Sequence, residues 1–200
     1  MRILIIGATG TIGKAVAAAL GGRHDLILAS HEKAAERVDI AKAASIEDLF
    51  ARIGRVDALV SAAGRAAFKP FSALNDSDFE LSLRNKLMGQ VNLVRIGLGF
   101  VSENGSITLT AGYLSRNPAP GSAAVSLVNS GLEGFGRAAA LEAPRGIRVN
   151  VVSPPWITET LQAMGRPTDG SVPAATVAQS YVRSVEGKET GQVFDPRSSS

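Results

Sequence analysis

Gly7-Ala8-Thr9-Gly10-Thr11-Ile12-Gly13 follows the apolar run Ile3–Ile6 and leads into a helix-like segment, Ile12–Leu20. Glycines at this spacing, directly after a buried strand, allow a tight turn and let backbone approach a ligand closely. The first amides of the helix that follows have no partner within it, and with the helix dipole they favour an anion such as a pyrophosphate. A glycine pattern alone is weak evidence; its place at the first strand–helix turn gives it weight. The competing reading is a turn that merely packs helix against strand.

Working outward, Leu26–Ala29, Ala58–Ser61, Ile107–Thr110 and Val149–Val152 are further short apolar runs, with Gln192–Phe194 as a shorter closing one. Runs that do not alternate with polar residues belong to strands covered on both faces. Between them, Ser45–Ile53, Asp76–Val101, Ser122–Ala143 and Val177–Val185 read as helices. This order predicts an α/β fold, a doubly wound parallel sheet of the Rossmann type with helices on both faces in three layers. It predicts a single domain over residues 1–195 and a frayed tail over 196–200. The irregular stretch Pro154–Pro173 reads as a substrate lid, with Trp156 and Met164 shaping it or the pocket beneath. Gly131, Gly134 and Gly136 lie in the segment Ser122–Ala143, where each costs about 1 kcal/mol relative to alanine. Their presence implies close contact with the sheet or with another subunit.

Composition narrows the function classes. The chain has 200 residues, 45% of them hydrophobic and 20% charged, with a net charge of only +3. Lys and Arg are scattered, so no basic patch predicts nucleic-acid binding. Cysteine is absent, which removes disulfides, thiolate metal sites and cysteine nucleophiles. Two distant histidines, His24 and His31, make a poor ligand set, so no metal is expected, and His24, in a turn before the second strand, is discounted as a base. The opening apolar run is too short for a signal-peptide core, and no run approaches the roughly 18 residues of a membrane span. The expected compartment is the cytoplasm, with a small-molecule substrate and no membrane partner.

The second strand indicates which dinucleotide is bound. An acid at its end would hydrogen-bond a ribose 2′-hydroxyl and select NAD. Here the strand ends Ala29-Ser30-His31, with Glu32 and Lys33 following. A hydroxyl, an imidazole and an ammonium suit a 2′-phosphate, so NADP(H) is preferred and NAD(H) stays open; the alternative is that His31 and Lys33 are solvated loop residues.

Several segments resemble the short-chain dehydrogenase/reductase family, in the family's order. Val38-Asp39-Ile40 resembles the acidic segment after the third strand, and Ser61-Ala62-Ala63-Gly64 the fourth-strand signature that lines the adenosine ribose. Asn85, in Arg84-Asn85-Lys86-Leu87-Met88-Gly89, matches the family's active-site asparagine. Pro144-Arg145-Gly146-Ile147-Arg148-Val149-Asn150, Ser153-Pro154-Pro155-Trp156-Ile157 and Thr190-Gly191-Gln192-Val193 are similar to later signatures. The resemblance covers residues 1 to about 195. It implies cofactor contacts at Gly7, Thr9, Gly10, Thr11, Ile12, Gly13, Ser30, His31, Asp39, Ile40, Ala62, Ala63, Gly64, Asn129, Pro154 and Ile157. It also implies a homodimer or homotetramer through the helices the family counts fourth and fifth. The stripe Leu81, Val91, Val94 and Leu98 suits such an interface, although core burial alone would explain it.

The family mechanism uses a Tyr as acid/base, a Lys four residues later that lowers the Tyr pKa, and an upstream Ser that polarises the carbonyl. Aligned through Gly134-Phe135 and Ala140-Leu141-Glu142, those positions are Val125, Asn129, and Ala111 or Gly112. Only Asn85 of the four catalytic residues is present. Val125 cannot move a proton, and Asn129 can hydrogen-bond a ribose but carries no charge. Thr110 and Tyr113 are the candidate substitutes, Thr110 as a carbonyl donor and Tyr113 as a proton donor, against the plainer readings of a strand-end hydroxyl and a pocket wall. Two classes of function therefore stand: an NADP(H)-dependent carbonyl/alcohol oxidoreductase with an atypical active site, or a non-catalytic NADP(H)-binding sensor or regulatory or structural subunit, the last supporting an active relative in a hetero-oligomer.

Overall fold

The computed structural model describes residues 1–197 and begins with β1 (Arg2–Ile6), whose side chains alternate between two separate cores. β2 (Asp25–Ser30), β3 (Glu36–Arg37), β4 (Val56–Ser61), β5 (Val101–Thr110), β6 (Arg148–Val152) and β7 (Val193–Phe194) complete one parallel sheet in the order β3-β2-β1-β4-β5-β6-β7. Leu4, Ile6, Leu59, Ile107 and Val149 face α2 (Ala43–Ile53), α4 (Met88–Gly97) and α5 (Ala123–Glu142). Ile3, Ile5, Ala58, Val60 and Val152 face α1 (Thr11–Leu20) and α7 (Ala174–Glu186). That is the expected three-layer, doubly wound arrangement. Strand order reverses between β1 and β4, which is where such sheets open a crevice at their carboxyl ends.

Four local expectations are corrected. The helix expected over Asp76–Val101 is broken into α3 (Asp76–Ser82), a π-helical turn Leu83–Leu87, and α4, which stops at Gly97 before Val101 opens β5. A wider turn of this kind is common at functional sites. The stretch Pro154–Pro173 is not irregular throughout: it contains α6 (Thr158–Ala163). The apolar stripe divides, since Val94 is buried in the core and Leu98 packs against it while Leu81 is exposed. The tail read as frayed is held as far as Arg197, which pairs with Asp195 at 2.6 Å and stacks 3.5 Å from the Tyr113 ring centroid; 198–200 lie outside the described residues. Among the glycines of α5, a Cβ at Gly136 would collide with Val151 of β6, one at Gly131 would press on Leu87 at 3.2 Å, and one at Gly134 would meet open space. Sheet and neighbouring helix thus account for two of the three.

Candidate functional site

The glycine turn is fixed by contacts that only glycine allows. Gly7 has φ +84°, and a Cβ there would lie 2.5 Å from the Ala62 carbonyl oxygen. Gly13, one helical turn into α1, faces the Gly7 carbonyl so closely that any side chain would strike it. Gly10 forms the N-cap without a side-chain cap, so the amides of Thr11, Ile12 and Gly13 open the helix without capping partners.

Beside this turn lies a cleft of about 430 Å³. Gly7, Thr9, Gly10, Ser30, His31, Asp39, Ile40, Ala63, Gly64 and Asn85 line it, together with Glu32 and Lys33. Ser30 Oγ accepts the amides of Lys33 and Ala34, both at 2.9 Å, folding the post-β2 loop so that His31 and Lys33 reach the cleft rim. His31 also stands 3.4 Å from Glu32. The Asp39 carboxylate accepts the Ala41 amide at 3.1 Å. Asn85 Oδ1 accepts the Arg65 amide at 2.7 Å and thereby pins the loop after β4 to the π-helical turn. Thr11, Gly13 and Ala62 do not line the cleft: Thr11 is exposed at the helix start, Gly13 is buried and Ala62 is partly buried.

A second cavity of about 600 Å³ adjoins it, with Asn85 lining the first and its neighbour Lys86 the second. Its walls are largely apolar: Ile12, Phe68, Leu114, Val125, Pro154, Trp156, Ile157 and Met164, with Trp156 edge-on to Phe68 at 5.5 Å. Asn129, Val125, Ala111 and Gly112 meet here. Asn129 is buried, and its Oδ1 has no hydrogen-bond partner among the described residues. Its Nδ2 would lie 2.7 Å from a Cβ at Gly112, so Gly112, one of the two positions aligned with the family serine, leaves little room for a side chain while Asn129 stays.

Two expected proton donors fare differently. Thr110 lines the cavity but is itself buried, and its hydroxyl is engaged within the protein: Oγ1 donates to the Ser61 carbonyl at 2.5 Å and lies 2.6 Å from the Tyr181 hydroxyl, which competes with the carbonyl-donor role expected of it. Its single proton is already given. Tyr113 also lines the cavity, in a short turn anchored by its amide to the Pro154 carbonyl at 2.9 Å, and Arg197 covers its ring. His24 Nε2 lies at hydrogen-bond distance, 2.7 Å, from the Glu186 carboxylate and lines neither cavity.

Lys86 was not singled out from sequence. Its Nζ donates to the Ala111 carbonyl at 3.1 Å, at the carboxyl end of β5, and burial pushes its pKa down to about 8. A lysine one residue after the asparagine was visible, but its direction depends on the π-helical turn, which the periodicity did not reveal.

A family model described as enoyl-(acyl carrier protein) reductase matches residues 8–194. A rat 3-oxoacyl-[acyl-carrier-protein] reductase is 31% identical over 78% of this chain, and the alignment spans 65% of that enzyme's length. The crystal structure of protein lin1944 from Listeria innocua is 38% identical, with a TM-score of 0.94 over 98% of both chains. That of a small-chain dehydrogenase in complex with NADPH is 25% identical, with a TM-score of 0.86 over 98% of this chain and 95% of the other. Among the described residues, no helix is long and apolar enough to cross a membrane. With a glycine turn at the carboxyl end of β1, an asparagine in the π-helical turn and a family match along nearly its whole length, the chain belongs to the short-chain dehydrogenase/reductase family.

Proposed function

We propose that this protein is an NADP(H)-dependent oxidoreductase that interconverts a carbonyl and an alcohol on an apolar small molecule, in an active site built differently from the family pattern. The observation that carries this reading is the junction of a glycine-floored cleft with an apolar cavity at the point where strand order reverses. The residues present fit a dinucleotide. The turn offers free helix amides to a pyrophosphate, and the orphaned Asn129 Oδ1 is a buried acceptor suited to a ribose hydroxyl. When bound, the cofactor supplies or accepts a hydride at the carbon held against its nicotinamide.

The chain's own residues then have distinct tasks. Pro154 and Ile157 wall the cavity on the β6 side, and Phe68, Trp156 and Met164, all partly exposed, give it further apolar surface for a substrate. Asn129 orients and cannot acidify, because it carries no charge. Val125 and Ala111 take no part in proton movement. Lys33 supplies positive charge and His31 an imidazole at the rim, supporting NADP(H) over NAD(H); the relative solved with NADPH points the same way. The second reading, a non-catalytic NADP(H) sensor or regulatory subunit, is favoured by Val125 and Asn129 standing where the acid/base pair is expected.

Calorimetric titration with NADPH and NADH, followed by NADPH oxidation with a panel of ketones, aldehydes and 3-oxoacyl thioesters, separates the two. We expect NADPH to bind at least about tenfold tighter than NADH, since a charge-assisted hydrogen bond contributes about 1.5–3 kcal/mol. The double variant H31A/K33A is expected to erase that preference while leaving NADH binding intact. Binding without turnover across the panel favours the sensor, and no binding of either nucleotide sinks both readings.

The same reading places the protein in the cytoplasm as a homodimer or homotetramer. The exposed apolar side chains Leu81, Leu83 and Met88, around α3 and α4, and Leu127 on α5 support it. Light scattering on a size-exclusion column is expected to give at least twice the chain mass for the wild type, and a lower mass for the double variant L127E/M88E. A monomeric wild type at micromolar concentration rules the assembly out.

A further inference from the structure

We propose that Lys86 is the proton-transferring catalytic residue of this site, giving a proton to the oxygen of a carbonyl substrate in reduction and taking one from the alcohol in oxidation. This rests on the oxidoreductase reading and assigns the task left open by Val125, Asn129 and Ala111.

Three observations converge on the side chain. First, Lys86 lines the apolar cavity, and its Nζ sits 3.1 Å from the Ala111 carbonyl, at the strand end where the family pattern places its carbonyl-polarising residue. An ammonium has three protons, and one bond to Ala111 leaves others to point into the cavity. Second, the stem has a passage made for it. Gly64 has φ +130°, and a Cβ there would lie 3.0 Å from Lys86 Cγ and 3.1 Å from its Cα. Glycine at the end of β4 thus lets the stem lie against bare backbone on its way inward. Third, Asn85 and Lys86 share the π-helical turn, which sends one neighbour to each cleft.

The surroundings suit acid/base work near neutrality. No carboxylate is paired with Lys86 among the described residues, and burial alone lowers its pKa to about 8. The titratable and charged groups around it are few. Tyr113 and Arg166 line the same cavity, Arg65 follows the Gly64 turn, and Arg84 is on the same π-helical turn. Across on α5, Glu133 is occupied at one oxygen by Ser115 and Ser153, at 2.6 and 2.7 Å. A general acid is most effective when its pKa lies near the working pH, which an ordinary lysine does not satisfy.

The step balances without further partners. The carbonyl carbon receives a hydride from the reduced nicotinamide, the π pair moves to oxygen, and Lys86 Nζ transfers a proton to that oxygen. The neutral amine left behind takes a proton from water before the next turnover. Oxidation of the alcohol runs the same transfers in reverse.

The test uses the full chain and three readouts: NADPH affinity, pH dependence of kcat with acetoacetyl-N-acetylcysteamine and phenanthrenequinone as probes, and direct titration of the amine. For the last, lysines are reductively methylated with [13C]formaldehyde, and the Lys86 resonance is assigned by its loss in K86R. In the wild type, kcat for reduction is expected to fall as pH rises through about 8, because the donor is then deprotonated. The Lys86 resonance should titrate in the same range. K86Q and K86R should bind NADPH as the wild type does, lose at least about 100-fold in kcat, and lack the basic limb. K86R keeps the charge and stem, so the arginine variant reports even if K86Q does not fold. A kcat within a few-fold of wild type in either folded variant, or a Lys86 resonance titrating with the surface lysines, overturns the proposal and leaves the oxidoreductase reading standing. NADPH binding with no turnover of either probe, in the wild type as in the variants, overturns both.

Discussion

Gly13→Val is expected to bind NADPH at least about 100-fold more weakly than the wild type and to melt several degrees lower. A side chain at Gly13 has nowhere to go: it would strike the Gly7 carbonyl and come within 2.8 Å of the Ala8 Cα, both backbone. Backbone cannot swing aside as a flexible side chain can, so α1 must move away from the turn or the turn away from the sheet. The turn is tied to β2, with the Gly7 and Ala8 amides both donating to the Ala29 carbonyl at 2.9 and 3.1 Å. The helix therefore gives way, carrying the amides of Thr11 and Ile12 out of register with a pyrophosphate. Two lost charge-assisted hydrogen bonds at about 1.5–3 kcal/mol each correspond to a 100-fold loss or more. The strain adds about 1–3 kcal/mol of lost stability, as overpacking usually does. Gly134→Ala is the matched control. Its Cβ would meet nothing within 4 Å, and alanine is about 1 kcal/mol more favourable than glycine in a helix, so this variant should gain stability and bind NADPH normally. Calorimetry and a thermal melt on the two variants check the pair; wild-type affinity in Gly13→Val would remove the glycine turn from the proposed cofactor site.

What the chain disclosed in advance follows from how local each signal was. The central strands were legible because both faces are covered, leaving continuous runs such as Ile3–Ile6. β3 was not, since Glu36 and Arg37 form a two-residue edge strand with no apolar period. The break at Leu83–Leu87 was hidden for the opposite reason: its residues continue a helical pattern, and the wider turn shows in backbone bonds such as that from the Met88 amide to the Leu83 carbonyl. The glycine turn, Ser30, Asp39 and Asn85 were legible as motif positions. Lys86 was readable as a residue but not as part of the site, because its passage depends on Gly64 and its acceptor on Ala111, elements 22 and 25 positions away in the chain. Thr110 illustrates the same limit. Its place at a strand's carboxyl end pointed to the reaction centre, yet its hydroxyl is claimed by Tyr181, 71 residues on.

That claim sets up the second large effect. Tyr181→Ala is expected to destabilise the fold by about 3–5 kcal/mol, the range for removing a buried aromatic side chain from a core. Tyr181 is fully buried on α7, in the layer that packs against Ile3, Ile5 and Val60. At about 2–4 °C per kcal/mol for a chain of this size, the melting temperature should fall by about 6–20 °C. Its hydroxyl hydrogen-bonds Thr110 Oγ1 at 2.6 Å, and burial raises the phenol's pKa although that bond opposes the shift. The phenol therefore stays neutral through the physiological range. Tyr181→Phe keeps the ring and leaves Thr110 donating to the Ser61 carbonyl, so it should cost only about 1 kcal/mol, the net contribution of one hydrogen bond. Thr110→Val keeps volume but strands the Tyr181 hydroxyl and takes the proton from Ser61, at about 1–3 kcal/mol for a buried group left unsatisfied. The ordering Tyr181→Ala, then Thr110→Val, then Tyr181→Phe separates packing from polar satisfaction in a single set of melts. It also bears on chemistry. If Thr110 polarised a substrate carbonyl, Thr110→Val would lose turnover at unchanged stability; with its proton given to the Ser61 carbonyl, the expected result is the reverse, lowered stability with turnover near wild type below the melting transition.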